Sequence, residues 1–335
     1  MCVKFFVEEI VPLFSVIVPI YNVRQFVADA LKSISDQSLA DFETIVVDDG
    51  STDGSGEIAE AFCLSDPRFK YVRQANGGAS VARNAGTSMA EGQFIYYMDG
   101  DDLLVEDALA ECFRELTTHE ADVVLFCADV FPADAPAYER YRDYYQRPQL
   151  QSPLSSDAFV IESLRQNRYF VSPCCYVARR SVVGDLRFVE GVIYEDNHFF
   201  AAMLLNKKLK VAVSYRNLFL RRLRPHSVML SGRTVKNYES IYRVVQEMSA
   251  LSFAAVESVA RTRVKAELIG GMLRELYFTS AVVGAGLRIR LKNVSAMYHV
   301  ARRVDLRLLT AKRLLLSLLP ELYLLRNKLR VMTGS

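Results

Sequence analysis

No stretch of this sequence approaches the roughly 18 consecutive apolar residues that a membrane-spanning helix needs, so no integral span is expected. The N-terminal stretch is apolar, yet it lacks a charged leader, a long apolar centre and a small-residue cleavage site. No signal peptide is expected from it. Tryptophan is absent altogether. The six cysteines (Cys2, Cys63, Cys112, Cys127, Cys174 and Cys175) form no CxxC, and the adjacent Cys174–Cys175 pair is poorly placed for an ordinary bridge. Scattered thiols of this kind fit a reducing, cytoplasmic setting. Internal repeats and low-complexity segments are also missing.

What is present is 335 residues, 51% of them hydrophobic and 24% charged, enough for one large or two modest domains with a sizeable core. The net charge is only +2, but it is unevenly spread. From Ala301 onward there are eight basic residues (Arg302, Arg303, Arg307, Lys312, Arg313, Arg326, Lys328, Arg330) and two acidic ones (Asp305, Glu321). That stretch therefore carries +6 and the remainder −4.

Short apolar runs alternate with helical spacing through the first 130 residues. Strands are expected at Phe14–Pro19, Phe42–Val47, Phe69–Val72, Phe94–Met98 and Val123–Ala128. Helices are expected at Val23–Gln37, Glu57–Phe62, Ala79–Ala90 and Leu109–Thr118. Ser51 and Asp53 are placed to cap the second of these. This order predicts an α/β fold with a mostly parallel sheet flanked by helices. From Phe131 to Ser156 the texture becomes irregular and rich in Tyr, Pro and Arg. Helix, strand-like Ser172–Arg179 and a helix after Glu195 follow, and after Ser231 the pattern is mainly helical.

Two acidic clusters stand directly after strand-like runs: Asp48-Asp49-Gly50 after Thr44–Val47, and Asp99-Gly100-Asp101-Asp102 after Phe94–Met98. Ligands of parallel sheets bind at the carboxyl ends of strands. Hard cations such as Mg²⁺ or Mn²⁺ take carboxylate oxygens and phosphates. The pair of clusters therefore points to a nucleotide held with a divalent cation. A surface turn with helix caps would use the same residues, but three carboxylates in four positions repel one another unless a cation joins them.

The segments SVIVPIYN, VVDDGSTDGS, NGGASVARNAG, YYMDGDD and YEDNHFF occur in this order. In order and spacing the chain resembles the family 2 glycosyltransferases of GT-A (Rossmann-like) fold, over about Leu13 to Ser231. The resemblance implies a catalytic domain at 1–231 and a mainly helical C-terminal region at 232–335. It also implies a role for each motif. Asp49 would accept from the uracil N–H, with Pro19, Tyr21 and Asn22 lining the same pocket, while Asp48 is structural. Asp101 and Asp102 would ligate Mn²⁺ or Mg²⁺, and Asp99 would face the donor ribose or sugar. Arg83, and Arg222 and Arg224 of the RRLRPHS segment with Ser227, would reach the diphosphate. Arg83 reads equally as an ordinary surface arginine, and His226 as a minor candidate ligand. Asp196 would be the base that takes the acceptor hydroxyl's proton in an inverting transfer, assisted by Glu195. Acids at a helix N-terminus would place the same pair there.

Processive members of the broader family carry a QxxRW motif and several membrane spans. A chain without tryptophan or a span is read as non-processive. The expected activity is transfer of a hexose or N-acetylhexosamine from a UDP-sugar to a glycan acceptor. A lipid-linked saccharide of lipopolysaccharide, capsule or exopolysaccharide is the expected acceptor, with no nucleic-acid partner. The Leu-rich basic stretch at 302–330 reads as a peripheral contact with an anionic membrane, on the inner face of the cell membrane, or as a helix pair packed on the catalytic domain. Tyrosines of Phe131–Gln149 either stack on acceptor rings or belong to a plain loop. Two other readings are a sugar nucleotidyltransferase, which leaves YEDNHFF unexplained, and a catalytically silent sugar-binding or scaffold subunit, against which the intact acids argue.

Overall fold

The computed structural model describes residues 11–224, 231–322 and 324. The chain opens with β1 (Phe14–Ile20), α1 (Val27–Ser35), β2 (Phe42–Asp48), α2 (Ser55–Ser65), β3 (Phe69–Arg73), α3 (Ala79–Met89) and β4 (Phe94–Tyr97). Next come β5 (Leu103–Leu104), α4 (Ala108–Thr118), β6 (Val123–Phe131), α5 (Tyr138–Tyr141), β7 (Leu154–Ser155) and α6 (Ser156–Arg165). Then follow β8 (Tyr176–Arg179), α7 (Arg180–Val183), α8 (Glu195–Leu205) and β9 (Lys210–Arg222). The last part is helical: α9 (Val235–Ala250), α10 (Ser258–Val282), α11 (Leu287–Arg303) and α12 (Ala311–Leu318).

The strands form one sheet in the order β3-β2-β1-β4-β8-β6-β9-β5, with β7 also pairing β9. The first four are mutually parallel, and β6 and β9 run the same way. β5, β7 and β8 run against them, so the sheet is mixed with one dominant direction. The chain leaves β1 for β2 and β3 on one side, then returns to β4 on the other. That reversal opens a crevice at the carboxyl ends of β1 and β4, where open α/β sheets hold their ligands.

β1 is buried along its whole length because both faces of the sheet are covered. Its period-2 alternation divides it between two cores. Val16, Val18 and Ile20 pack with Val27 and Leu31 of α1 and Leu109 and Leu116 of α4. Ile17 joins Ala82 of α3 and Phe199 and Met203 of α8 in the opposite core. The second core runs without a break into Tyr238, Val244, Leu273 and Val300 of α9, α10 and α11. The C-terminal helices are thus continuous with the packing behind the sheet. Each large side chain buried there contributes roughly 1.5–3 kcal/mol.

Several boundaries differ from the sequence pattern. The first helix begins at Val27, because Val23–Phe26 form a turn closed by the Phe26 N–H to the Val23 carbonyl. α2 starts at Ser55; Asp53 Oδ1 accepts the free N–H of that first helical residue at 2.9 Å, whereas Ser51 does not cap the helix. Backbone donors of the β1 loop also reach both side chains. Ser51 Oγ accepts from the Asn22 N–H at 3.1 Å, and Asp53 accepts from the Arg24 N–H at 3.0 Å. Residues 173–175 of the strand-like Ser172–Arg179 form a 3₁₀ turn, leaving β8 as four residues. The expected irregular stretch contains the short α5 and β7. β9 is a thirteen-residue strand whose pairing with β6 shifts register twice near Cys127. Such bulges re-aim the side chains beyond them.

No helix among the described residues is long and apolar enough to cross a membrane. The basic stretch supplies the end of α11, then α12, which stops before Pro320. Asn293, Met297 and Val300 of α11 are buried, whereas Leu314, Leu315 and Leu318 of α12 are 40–49% exposed. Arg326, Lys328 and Arg330 lie outside the described residues.

Candidate donor and catalytic site

The loops after β1 and β2 are stitched together above the crevice. Asn22 lies at a φ of 51° and accepts from the Thr52 N–H through Oδ1 at 2.9 Å. The Val23 N–H donates to Ser55 Oγ at 2.8 Å. Pro19 is buried within β1, while the Tyr21 ring stands 48% exposed at the rim. Asp48 is fully buried and structural as expected, accepting from the Ser51 N–H and the Tyr71 hydroxyl, each at 2.9 Å.

Asp49 is also buried, and its carboxylate organises the Gly-rich turn before α3. Oδ1 accepts from Gln74 Nε2 at 2.8 Å and the Gly77 N–H at 2.9 Å, and Oδ2 from the Gly78 N–H at 2.7 Å. Gly78 holds a φ of 92°, which a residue with a Cβ adopts only at a cost. A carboxylate offers about four acceptor positions. Three are used, which leaves Oδ2 able to take one more donor.

Arg83 is 5% exposed, so it is not a plain surface arginine. Its Nη2 donates to Asp99 Oδ1 at 2.8 Å and its Nη1 to Glu195 Oε1 at 2.7 Å. Burial opposes its charge, but Asp99 and Glu195 hold it firmly protonated. The next residue, Asn84, is buried and bonds both the N–H and the carbonyl of Phe188, fixing the chain that leads to α8. Tyr194, at a φ of 75°, is the turn into that helix. A bulky residue in this conformation is strained, and such strain collects at functional sites.

In the acidic loop, Gly100 is required by close approach, since a Cβ there would stand 2.5 Å from Ile20 Cγ2. Asp101 pairs with Nε of Arg224. Asp102 is fully buried, and its Oδ1 accepts the Arg222 N–H at 2.6 Å. Its Oδ2 has no hydrogen-bond partner. Burial, then Asp101 and Asp99, push Asp102 well above the usual carboxylate range, although Arg221 pulls the other way. Burial would raise Asp99 too, but Arg83 and Arg221 hold it below that range.

Arg221 was not singled out by its sequence. It stands in an RRLR run in which Arg222 and Arg224 resemble the family's segment. The pleat sends Arg221 and Arg222 to opposite sides of β9. Arg221 Nη1 reaches Asp99 Oδ2 at 3.2 Å and Asp102 Oδ2 at 3.6 Å. Arg222 lies between the rings of Phe26 and Phe131 and donates to the Asp101 carbonyl at 2.9 Å. Alternation along a strand is the signal that separates the two. Cys174 was likewise missed. Its sulfur lies with carboxylate oxygens of Asp99 and Asp102, all within 4.8 Å of one another, and its thiol bonds Asp99. Burial pushes that thiol well above its usual range, so it acts as a neutral donor. Asp101 is not in this group. His226 and Ser227 lie outside the described residues.

Asp196 is partly buried beside Glu195 at the start of α8. Burial first, then the Glu195 charge, push its carboxyl up to about 7 against the pull of Arg83 and Asn197. Its Oδ1 accepts from the Asn197 N–H at 2.9 Å. Tyr144, 53% exposed, is one of the tyrosines that feel the Asp196 charge. Tyr145, at 4.8 Å between ring centroids, and Phe170, at 6.2 Å, support it. The site therefore combines the stitched loops after β1 and β2, a carboxylate cluster able to take a hard cation, and a carboxylate poised near neutrality.

Comparison with known proteins agrees with this geometry. The family model "Glycosyl transferase family 2" matches residues 15–187. The glycosyltransferase EpsJ of Bacillus subtilis, itself uncharacterised, is 30% identical over 226 residues, covering 65% of this chain and 63% of EpsJ. The minor teichoic acid biosynthesis protein GgaB of the same organism is 26% identical over 231 residues, or 67% of this chain and 25% of GgaB. The chain thus spans less than two thirds of either relative. The crystal structure of S. aureus TarS residues 1–349 in complex with UDP-GlcNAc superposes with a TM-score of 0.69, at 21% identity, covering 88% of this chain and 82% of TarS. That likeness shows a shared fold.

The raised Asp196 carboxyl has a consequence for stability. A group whose folded-state pKa is raised holds its proton more tightly when folded, so this contribution is lost as pH rises through about 7. Asp196→Asn keeps an oxygen for the Asn197 N–H and cannot ionise. Thermal melts at pH 8 should show the variant a few degrees more stable than wild type, with the gap narrowing as pH falls below about 7 and closing only toward the ordinary carboxylate pKa of about 4. A variant equally or less stable at pH 8 would contradict the assignment. Since the matched segment spans more than half of the chain and holds the stitched loops, Arg83 and the acidic loop, the protein belongs to glycosyl transferase family 2, a family of transferase enzymes.

Proposed function

We propose that this protein is an inverting, non-processive glycosyltransferase. In this reading it moves a hexose or N-acetylhexosamine from a UDP-sugar to a hydroxyl of a bacterial surface glycan. The observation that carries the reading is the pairing of Asp196, pushed up to about 7, with a buried ion-pair chain leading to the acidic loop. The UDP-GlcNAc held by the structural neighbour TarS supports a uridine donor. The name of the relative GgaB supports a cell-surface glycan as acceptor.

On this reading the uracil enters between Tyr21 and Asp49, whose Oδ2 accepts the ring N–H. Asn22 and Pro19 shape the wall of that pocket. The diphosphate lies toward Arg83, Arg222 and Arg224. Asp99, Asp101 and Asp102 would hold Mn²⁺ or Mg²⁺, and the orphaned, buried Asp102 Oδ2 fits such a cation. When bound, the cation would neutralise charge on the departing nucleoside diphosphate. Asp196 takes the proton of the acceptor hydroxyl as that oxygen attacks the anomeric carbon from the face opposite the leaving group. Glu195, tied to Arg83, fixes the orientation of the base.

A base that must be ionised sets the direction of the pH dependence. Transfer should fall as pH drops through about 7 and level off above it. With UDP-GlcNAc and related donors, Asp196→Asn should lose at least about 100-fold in kcat while UDP affinity is kept. Turnover that survives the substitution would remove Asp196 from the role of base.

In this reading the exposed Tyr144 ring stacks on the acceptor sugar. Tyr144→Ala should raise the acceptor KM about tenfold with kcat nearly unchanged. An unchanged KM would leave Tyr144 a plain loop residue.

A lipid-linked acceptor brings the enzyme to the inner face of the cell membrane. The exposed Leu314, Leu315 and Leu318 of α12, with Lys312 beside them, support a peripheral contact with anionic lipid through 302–330. Sedimentation with phosphatidylglycerol vesicles tests this. Leu315→Asp/Leu318→Asp should release the protein, whereas equal binding by variant and wild type would overturn the contact.

A further inference from the structure

Five ionisable side chains, alternately acidic and basic, link the neighbour of the base to the acidic loop: Glu195, Arg83, Asp99, Arg221 and Asp102. All four links are direct ion pairs, at 2.7, 2.8, 3.2 and 3.6 Å. Arg221 closes the chain at the loop. A single nitrogen, Nη1, faces Oδ2 of both Asp99 and Asp102. Those are oxygens a divalent cation would use, and Asp102 Oδ2 has no hydrogen-bond donor of its own. A guanidinium and a cation cannot both lie against that pair of oxygens without strong repulsion.

We infer that Arg221 makes cation binding depend on the donor diphosphate. Alone, Mn²⁺ must displace a positive charge from Asp99 and Asp102 and leave it beside the metal. When UDP is present, its phosphate oxygens accept the guanidinium, which prefers phosphate in a bidentate arrangement. Both obstacles are then removed, and metal and nucleotide bind cooperatively. Arg221 is in this sense a positioning residue: it holds the acidic loop together until the diphosphate arrives. Asp99 also holds Arg83, and Arg83 holds Glu195, so a change of partner at Asp99 reaches the residue beside the base. Binding that depends on two ligands at once is a coupling free energy and is reciprocal.

This inference rests on the proposed cation site, and the test separates the two. Mn²⁺ binding is read by the loss of the free-ion electron paramagnetic resonance signal, with and without saturating UDP, after correction for Mn²⁺ held by UDP alone. For wild type, UDP should tighten Mn²⁺ binding at least tenfold. In Arg221→Gln, Mn²⁺ alone should bind at least fivefold tighter than in wild type, and the gain from UDP should shrink correspondingly. Arg221→Lys, which keeps the charge, should stay near wild type. A merely structural role for Arg221 would weaken Mn²⁺ binding in every state. Wild type that binds Mn²⁺ equally well with and without UDP would overturn the inference without any variant. So would an Arg221→Gln affinity for Mn²⁺ alone that is unchanged or weaker. Failure of wild type to bind Mn²⁺ even with UDP would overturn the cation site itself, and the inference with it.

Discussion

Repulsion among the carboxylates of the Asp99–Asp102 loop is the constraint on which the rest of the site depends. Three acids end one strand, inside a crevice where charge is poorly screened. Each is held by a different arginine: Asp99 by Arg83 of α3, and Asp101 and Asp102 by Arg224 and Arg221 at the end of β9. Those pairings bring the long C-terminal strand and the ARNAG helix to the same edge of the sheet. Removing one member of such a buried pair costs about 3–5 kcal/mol, since the other is left uncompensated. The charges therefore specify the arrangement more than they add to its stability.

Asp196 is the exception to this pattern. Its neighbour Glu195 takes the arginine, so Asp196 is left buried beside a like charge and moves toward neutrality. That is the environment a general base requires at cellular pH. The same environment works against the folded state whenever the carboxyl ionises. Strain at Tyr194, the residue before the pair, adds a second local cost at the same turn. Reactivity and stability are thus opposed at one helix start, and the continuous core behind it, from Phe199 to Val300, offsets the loss.

Much of this was legible in the sequence because strand-end acids and glycines have few other uses. The β1, β2 and β4 runs and the alternation of strands and helices followed from local patterning, whereas the roles expected of Arg83 and the Glu195–Asp196 pair came from the family resemblance alone. What was not legible depends on distant pairing. Nothing local shows that Ser51 serves a donor of the β1 loop rather than α2, or that Asp53 serves both. Nothing local shows that Asp49 organises Gly77 and Gly78. Arg221 and Arg222 look equivalent in an RRLR run until the register of β9 is known, and that register is set by a bulge opposite Cys127. Cys174 joined the acidic loop only once β8 was seen beside β4. The basic stretch was ambiguous for a related reason: α11 is packed on the preceding helices while α12 is half exposed, and no local pattern separates the two.

The most direct measurement is the calorimetric affinity for UDP in Mn²⁺ and then in EDTA, on wild type and on Asp101→Ala/Asp102→Ala. The account predicts binding that needs both the metal and the acids, lost in EDTA and in the double variant. Absence of UDP binding under every condition, or binding indifferent to both changes, would contradict a metal-dependent uridine donor site at the acidic loop.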